Sequence, residues 1–277
     1  PFNTVEDLCS FCAFREGPGG ASDYGEALRQ SVTDGTFAFS QLESALTEAR
    51  EEIFARRKQL GWIPANAELT PRDKTMAAWA DIPQSERPFQ LRLMELYAGF
   101  CEHTDAQVGK LVDFLDQTGQ RENTIILYIW GDNGCSAEGQ NGSISELLAQ
   151  NQIPNTIAQQ IKALDGLGGL KALGGPLTDN IKHAGWAWAG NTPFRHTKLV
   201  ASHFGGTRNP LVVSWPKRIK ADKTPRSQFY HANDIVPTLY DVIGIKAPKE
   251  VNGFPQDPID GVSMAASFSD PKAPENK

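Results

Sequence analysis

The chain has 277 residues, 40% hydrophobic and 22% charged, a composition that suits one large α/β domain or two small ones. A net charge of -6 and a pI near 5.4 offer no bulk attraction to nucleic acid or an anionic membrane. The longest apolar run, Ile125 to Trp130, is far too short to cross a bilayer.

In chain order, the opening stretch PFNTVEDLCSFCAFREG shows neither the basic nor the apolar region of a secretory leader, and it lacks a starting Met. Residues 1–40 mix glycines with polar residues at no sustained period and are expected to form an atypical segment of loops and short elements. Cys9 and Cys12 make a C-x-x-C pair that suits redox or metal chemistry, but no second pair or nearby His completes a zinc site. From Gln41, QLESALTEAREEIFARRKQLGW is rich in helix formers and reads as a helix closed by Gly61. A Pro-punctuated connection follows.

The clearest helix lies within residues 89–118. Leu93, Tyr97, Phe100, Thr104, Val108, Leu111 and Leu115 step by three or four and form one mostly apolar stripe, with Cys101 on its inner face. Thr124 to Trp130 is a continuous β-branched and aromatic run, the pattern of a strand covered on both faces in a parallel sheet. The tract from Gly131 to about Thr197 reads as irregular, broken by one helix near Asn155 to Leu164. A second buried strand is expected over Pro210 to Trp215. A helix from about Asn233 to Ile243 starts at an Asn/Asp cap and stops at Gly244. The last thirty or so residues are rich in Pro and Asp.

Strand ends carry ligands in open α/β sheets, and Asp132 and Asn133 stand at the end of the Thr124 strand. Their oxygens are hard, one charged and one neutral, which suits Ca²⁺ or Mg²⁺; an ordinary Asn-Gly turn explains the same residues. A second group, GNTPFRHTKLVASHFGGTRNPLVVSWP, sets Lys198 and the Gly205-Gly206 pair ahead of Arg208 and a strand. Lys198 is a compact charge able to meet an anionic oxygen, or else a solvated loop lysine. Arg208 is expected to hold its loop through an ion pair. His203 suits either a cleft hydrogen bond or a structural one. His183, Trp186 and Trp188 could line an aryl pocket or pack a core.

Together these segments resemble the sulfatase family of the alkaline-phosphatase-like superfamily. GDNGCSAEG, GNTPFRHTK and GGTRNPLVVSWPK match the family in order, as do the helix YAGFCEHTDAQVGKLVDFL and the segments HANDIVPTLYDVIG and DGVSM. The resemblance implies an α/β fold with a mixed, largely parallel sheet flanked by helices, here incomplete. Residues 41–243 would form the middle and later part of that core, with 244–277 a connection toward a further subdomain. It implies that Asp132 and Asn133 are metal ligands, usually for Ca²⁺ ahead of Mg²⁺, and that Lys198 binds the sulfate of a small-molecule aryl or alkyl sulfate ester. Charge and the short apolar runs, for their part, lead to the expectation of no membrane and no nucleic acid as partner. Apart from the resemblance, His203 is a further candidate site residue by its place five positions after Lys198.

The family nucleophile is a formylglycine made within a C/S-x-P/A-x-R motif. No cysteine here lies in such a motif, and Ser214 to Arg218 (SWPKR) matches the string only at a strand end, after the metal pair. The chain alone is therefore expected to be inactive. A phosphate or phosphonate ester hydrolase of the same superfamily and a binding protein that has lost its chemistry remain as alternatives. The compartment, cytoplasm or periplasm, and the oligomeric state stay open.

Overall fold

The computed structural model describes residues 50–275 apart from Glu52, Asp132 and Lys223. The expected segment over residues 1–40, the Cys9 and Cys12 pair, the first turns of the Gln41 helix and Asp132 lie outside the described residues. What is described divides into two compact units, one drawn from residues 50–112 and 129–210, the other from 113–128 and 211–275.

In the larger unit the expected first helix is seen at residues 53–59. Gly61, at φ +72°, ends it in the left-handed conformation that L side chains rarely adopt, and Trp62 N–H donates back to Arg57 O at 2.9 Å. Helix α1 (Arg87–Gln117) begins within this unit. Its first turns are buried: Phe89 and Leu93 pack with Leu164 and Leu173 to form the core, and Ile144, Ile157 and Ile161 close around them. Cys101 is buried, as its place on the stripe implies. The rest of the stripe behaves differently. Phe100 and Leu111 are 67% and 66% exposed, so the periodicity marks a helix correctly but a buried face only at its start.

The tract after Gly131 is more ordered than its glycines suggest. It holds α2 (Glu146–Gln150), α3 (Ile157–Asp165), a 3-10 turn at Gly169–Ala172, α4 (Ala184–Gly190) and the short α5 (Phe204–Thr207). Helix α3 has a full capping box, Thr156 accepting from Gln159 N–H and the Gln159 side chain reaching back. Its buried Gln160 accepts from Ile144 N–H at 2.8 Å and so ties the helix to the loop before α2. Helix α4 is the GWAWAG segment that the sequence reads as irregular. Every residue from Trp186 to Gly190 is buried, so no apolar stripe distinguishes one face, and tertiary burial sets the helix.

The expected strands are present in shorter form, as β1 (Ile126–Ile129) and β2 (Leu211–Ser214), which pair with each other. One step past β1, Trp130 N–H donates to Pro210 O at 3.3 Å. The largely parallel sheet expected from the apolar runs is not what the described residues form: their strands occur as two two-stranded sheets, the other joining β3 (Glu250–Val251) to β4 (Phe254–Pro255) antiparallel. Residues of β1 and β2 are half-buried or exposed, because within the described chain each strand has one strand neighbour.

In the smaller unit, helix α6 (Ile235–Ile243) follows a 3-10 turn at Ala232–Asp234 and stops at Gly244 with φ +72°. Asp234 is fully buried and accepts from His231 N–H at 2.7 Å and Val262 N–H at 2.9 Å. Met264 N–H in turn donates to the Thr238 hydroxyl at 2.9 Å, which docks DGVSM on α6 ahead of α7 (Ala266–Ser269). The Ser214 to Arg218 string is engaged structurally. The Ser214 hydroxyl accepts from Arg121 at 2.6 Å, Trp215 is buried, and Arg218 donates to Val242 O. Those contacts give the string a structural role.

Candidate functional site

The two motif groups, about sixty residues apart in sequence, meet in the larger unit. Gly134, at φ +86°, lies against the Gly205-Gly206 pair so closely that a Cβ there would stand 2.0 Å from Gly205 O. A Cβ on Gly205 would meet His196 O at the same 2.0 Å. Glycine is therefore required by close backbone approach on both sides of the contact. Side chains complete the knot: Asn209 Oδ1 accepts from Gly134 N–H at 2.9 Å, and Asn191 Nδ2 donates to Gly205 O at 2.9 Å and His196 O at 3.2 Å.

Lys198 sits on the loop that follows Asn133. Its backbone N–H donates to Cys135 O at 3.1 Å, and its ammonium pairs with Glu138 Oε2 at 2.7 Å. Both side chains are about one-quarter exposed, 28% and 25%, so solvent screens the pair only partly. Glu138 also accepts from the Ser136 hydroxyl at 2.7 Å. The Lys198 hydrogen bond, then that of Ser136, holds the Glu138 carboxyl below its ordinary range. An ammonium has three donors, so pairing with one carboxylate leaves Lys198 able to meet a further oxygen.

Asn133 is exposed in a bend at the head of this loop. His203 is half-exposed and stacks on His196, ring centroids 4.2 Å apart, while His196 Nδ1 stands 3.9 Å from Asp73 Oδ2. Desolvation, helped by the charges of His196 and Arg195, lowers the His203 pKa. Arg208 does not form the expected ion pair among the described residues. Its guanidinium lies over Phe194 and Phe204, 5.4 and 5.7 Å from the ring centroids, and donates to Trp62 O at 3.5 Å.

Ca²⁺ takes about six to eight oxygen ligands. Among the described residues no group of three His, Cys, Asp or Glu side chains could hold a metal ion, and Glu138 is committed to Lys198 and Ser136. The described residues do not by themselves fit the ion. Glu138, Asn191 and Asn209 organise the site, yet sequence reading does not single them out. Only the fold brings Glu138 to Lys198, 60 positions on.

His183, Trp186 and Trp188 are buried and line a separate cleft of about 310 Å³ that Arg50 also borders. Burial pulls the His183 pKa down to about 4.

Comparison with known proteins supports the family resemblance. The Sulfatase family model matches residues 39–245, and the chain belongs to the sulfatase family. An uncharacterised sulfatase of Schizosaccharomyces pombe is 28% identical over 202 residues, which cover 72% of this chain and 34% of that protein. An arylsulfatase of Klebsiella aerogenes is 26% identical over 226 residues, 82% of this chain and 45% of the relative. The chain thus spans less than half the length of these curated relatives. Family membership carries the coarse α/β class.

Proposed function

We propose that a protein carrying this chain hydrolyses sulfate esters, most simply aryl sulfates. The observation that supports this best is the placement of the Lys198 ammonium on the loop that follows Asn133, in a chain whose family match spans both motifs. The name of the Klebsiella relative, an arylsulfatase, points the same way.

In this reading Lys198 receives a sulfate oxygen. Its positive charge offsets the charge gathering on the oxygens as the ester bond breaks, and the Gly134–Gly205 contact holds it in place before substrate arrives. Glu138 orients the ammonium through its 2.7 Å bond and leaves the remaining donors for substrate. Asp132 and Asn133 act as two members of a hard-cation ligand set, Ca²⁺ by preference, completed by residues other than those described. His203 serves as a further polar group at the rim. The nucleophile is assigned to no residue of this chain, because none of its cysteines lies in a formylglycine motif, and the 277 residues alone are inactive. Strands β1 and β2 belong, on this view, to the larger mixed sheet of an alkaline-phosphatase-like core, with residues 41–243 as its middle and later part and 244–277 as a connection beyond it.

The test is turnover of 4-nitrophenyl sulfate by a longer protein that holds both this chain and the nucleophile motif. Lys198→Ala should lower kcat/KM roughly 100-fold while leaving the fold intact. Unchanged turnover removes the assigned role, and faster turnover of 4-nitrophenyl phosphate than of the sulfate replaces the substrate class.

A further inference from the structure

The cleft beside α4 holds a second arrangement that the Lys198 site does not use. Its walls include three indole rings, Trp79, Trp186 and Trp188, together with Arg50, Arg72 and His183. Trp79 and Trp186 stand 5.8 Å apart at 58°, and Arg50 lies over the Trp188 ring at 3.6 Å. None of Asn133, Glu138, Lys198 or His203 lines this cleft.

Arg50 is the unusual group. Its residue is 9% exposed, and its hydrogen bonds run to neutral oxygens: Nε donates to Thr192 Oγ1 at 3.2 Å, and Nη2 donates to Thr70 Oγ1 at 2.9 Å and to Thr70 O. No carboxylate pairs with it among the described residues, and those bonds leave Nη1 unused. Burial lowers its pKa to about 10, which keeps it cationic at neutral pH. His183 is neutral there, and its Nδ1 accepts from Gly185 N–H at 2.8 Å, which leaves the ring proton on Nε2 as a donor. Glu51 also borders the cleft, but two arginines outweigh one carboxylate. A buried guanidinium without a counter-charge is costly, and an anion beside it would recover part of that cost. The indole faces favour a flat apolar body on the same ligand.

We propose that this cleft binds a planar aromatic anion, an aryl carboxylate, sulfonate or sulfate, with its ring among the Trp79, Trp186 and Trp188 indoles and its charge toward Arg50. The site stands on its own and does not require the Lys198 reading.

The probe is naphthalene-2-sulfonate, titrated calorimetrically into the 277-residue chain beside its neutral counterpart naphthalene-2-sulfonamide. The sulfonate should bind saturably at up to millimolar concentration and about tenfold more tightly than the sulfonamide, the ratio that one charged contact supplies. Trp79→Leu should weaken both ligands, and Arg50→Met should erase the preference for the anion. Lys198→Ala should change neither affinity, which separates this site from the proposed catalytic one. Absence of saturable sulfonate binding, equal affinity for the two ligands in the unmodified chain, or loss of binding in Lys198→Ala would each overturn the proposal. Should Arg50→Met fail to fold, the ligand pair and Trp79→Leu still decide it.

Discussion

Gly134 and His183 show how single residues hold the larger unit together, each for a different reason. Gly134 combines φ +86° with a backbone oxygen 2.0 Å from where a Cβ would stand. Gly134→Ala must therefore move the loop after β1 away from Gly205, at a cost of about 3 kcal/mol from strain and overpacking. Urea unfolding of the variant should read that loss in its midpoint. His183 titrates at about 4 when folded against an ordinary value of 6.5. Between those values the unfolded chain binds more protons than the folded one, so stability falls as pH drops from 6.5 toward 4. The contribution is full above 6.5, and about 3 kcal/mol of it is gone below pH 4. In His183→Asn the amide oxygen can still accept from Gly185 N–H, and the variant should lose that much less stability over the same window. Parallel pH curves for the two proteins would remove His183 as the cause.

Among the elements, α1 is the clearest case of a pattern whose burial is uneven. Its apolar stripe is regular from Leu93 to Leu115, yet Leu93 is 1% exposed in the core beside Leu164 and Leu173 while Leu111 faces solvent. Leu93→Ala should cost roughly 2–5 kcal/mol through lost contacts and a cavity, and Leu111→Ala should stay within about 0.5 kcal/mol of the unmodified chain. Chemical denaturation of both variants compares them directly. Helix existence was legible here because a period of 3.6 is a local property. The depth of burial was not, since it depends on α3 and the Gly169–Ala172 turn arriving from much later in the chain. Helix α4 is the converse. Its residues from Trp186 to Gly190 are all buried, so no contrast between faces marks it, and a stretch whose sequence reads as irregular is helical.

At the scale of the whole molecule, charge and family membership are the broad findings. A net charge of -6 on 277 residues repels polyanions on average. The chain should pass through a heparin column at physiological salt, and retention would show a local basic surface that outweighs the total. No helix among the described residues is long and apolar enough to cross a membrane. The family match over residues 39–245 draws on both compact units, and each carries its own part of the motif order. The larger unit holds the DNG loop and Lys198. The smaller holds α6 within the match, and DGVSM, which lies past the matched range, is joined to it through the Asp234 and Thr238 hydrogen bonds.

By itself, the sequence determined the family, the positions of α1, α3 and α6, the two strands and the two motif groups of the candidate site. Those follow from local signals: period, caps, β-branched runs, and glycines at fixed places beside polar residues. Only the tertiary structure decided that Glu138 holds Lys198, that Gly134 rests on Gly205, that Arg208 lies on phenylalanine rings, and that Arg50 is buried at an aromatic cleft with no carboxylate paired to it among the described residues. Each is a contact between residues far apart in the chain. Coulombic and steric forces act over a few ångströms in space, and neither carries a mark in the order of residues until folding brings the partners together.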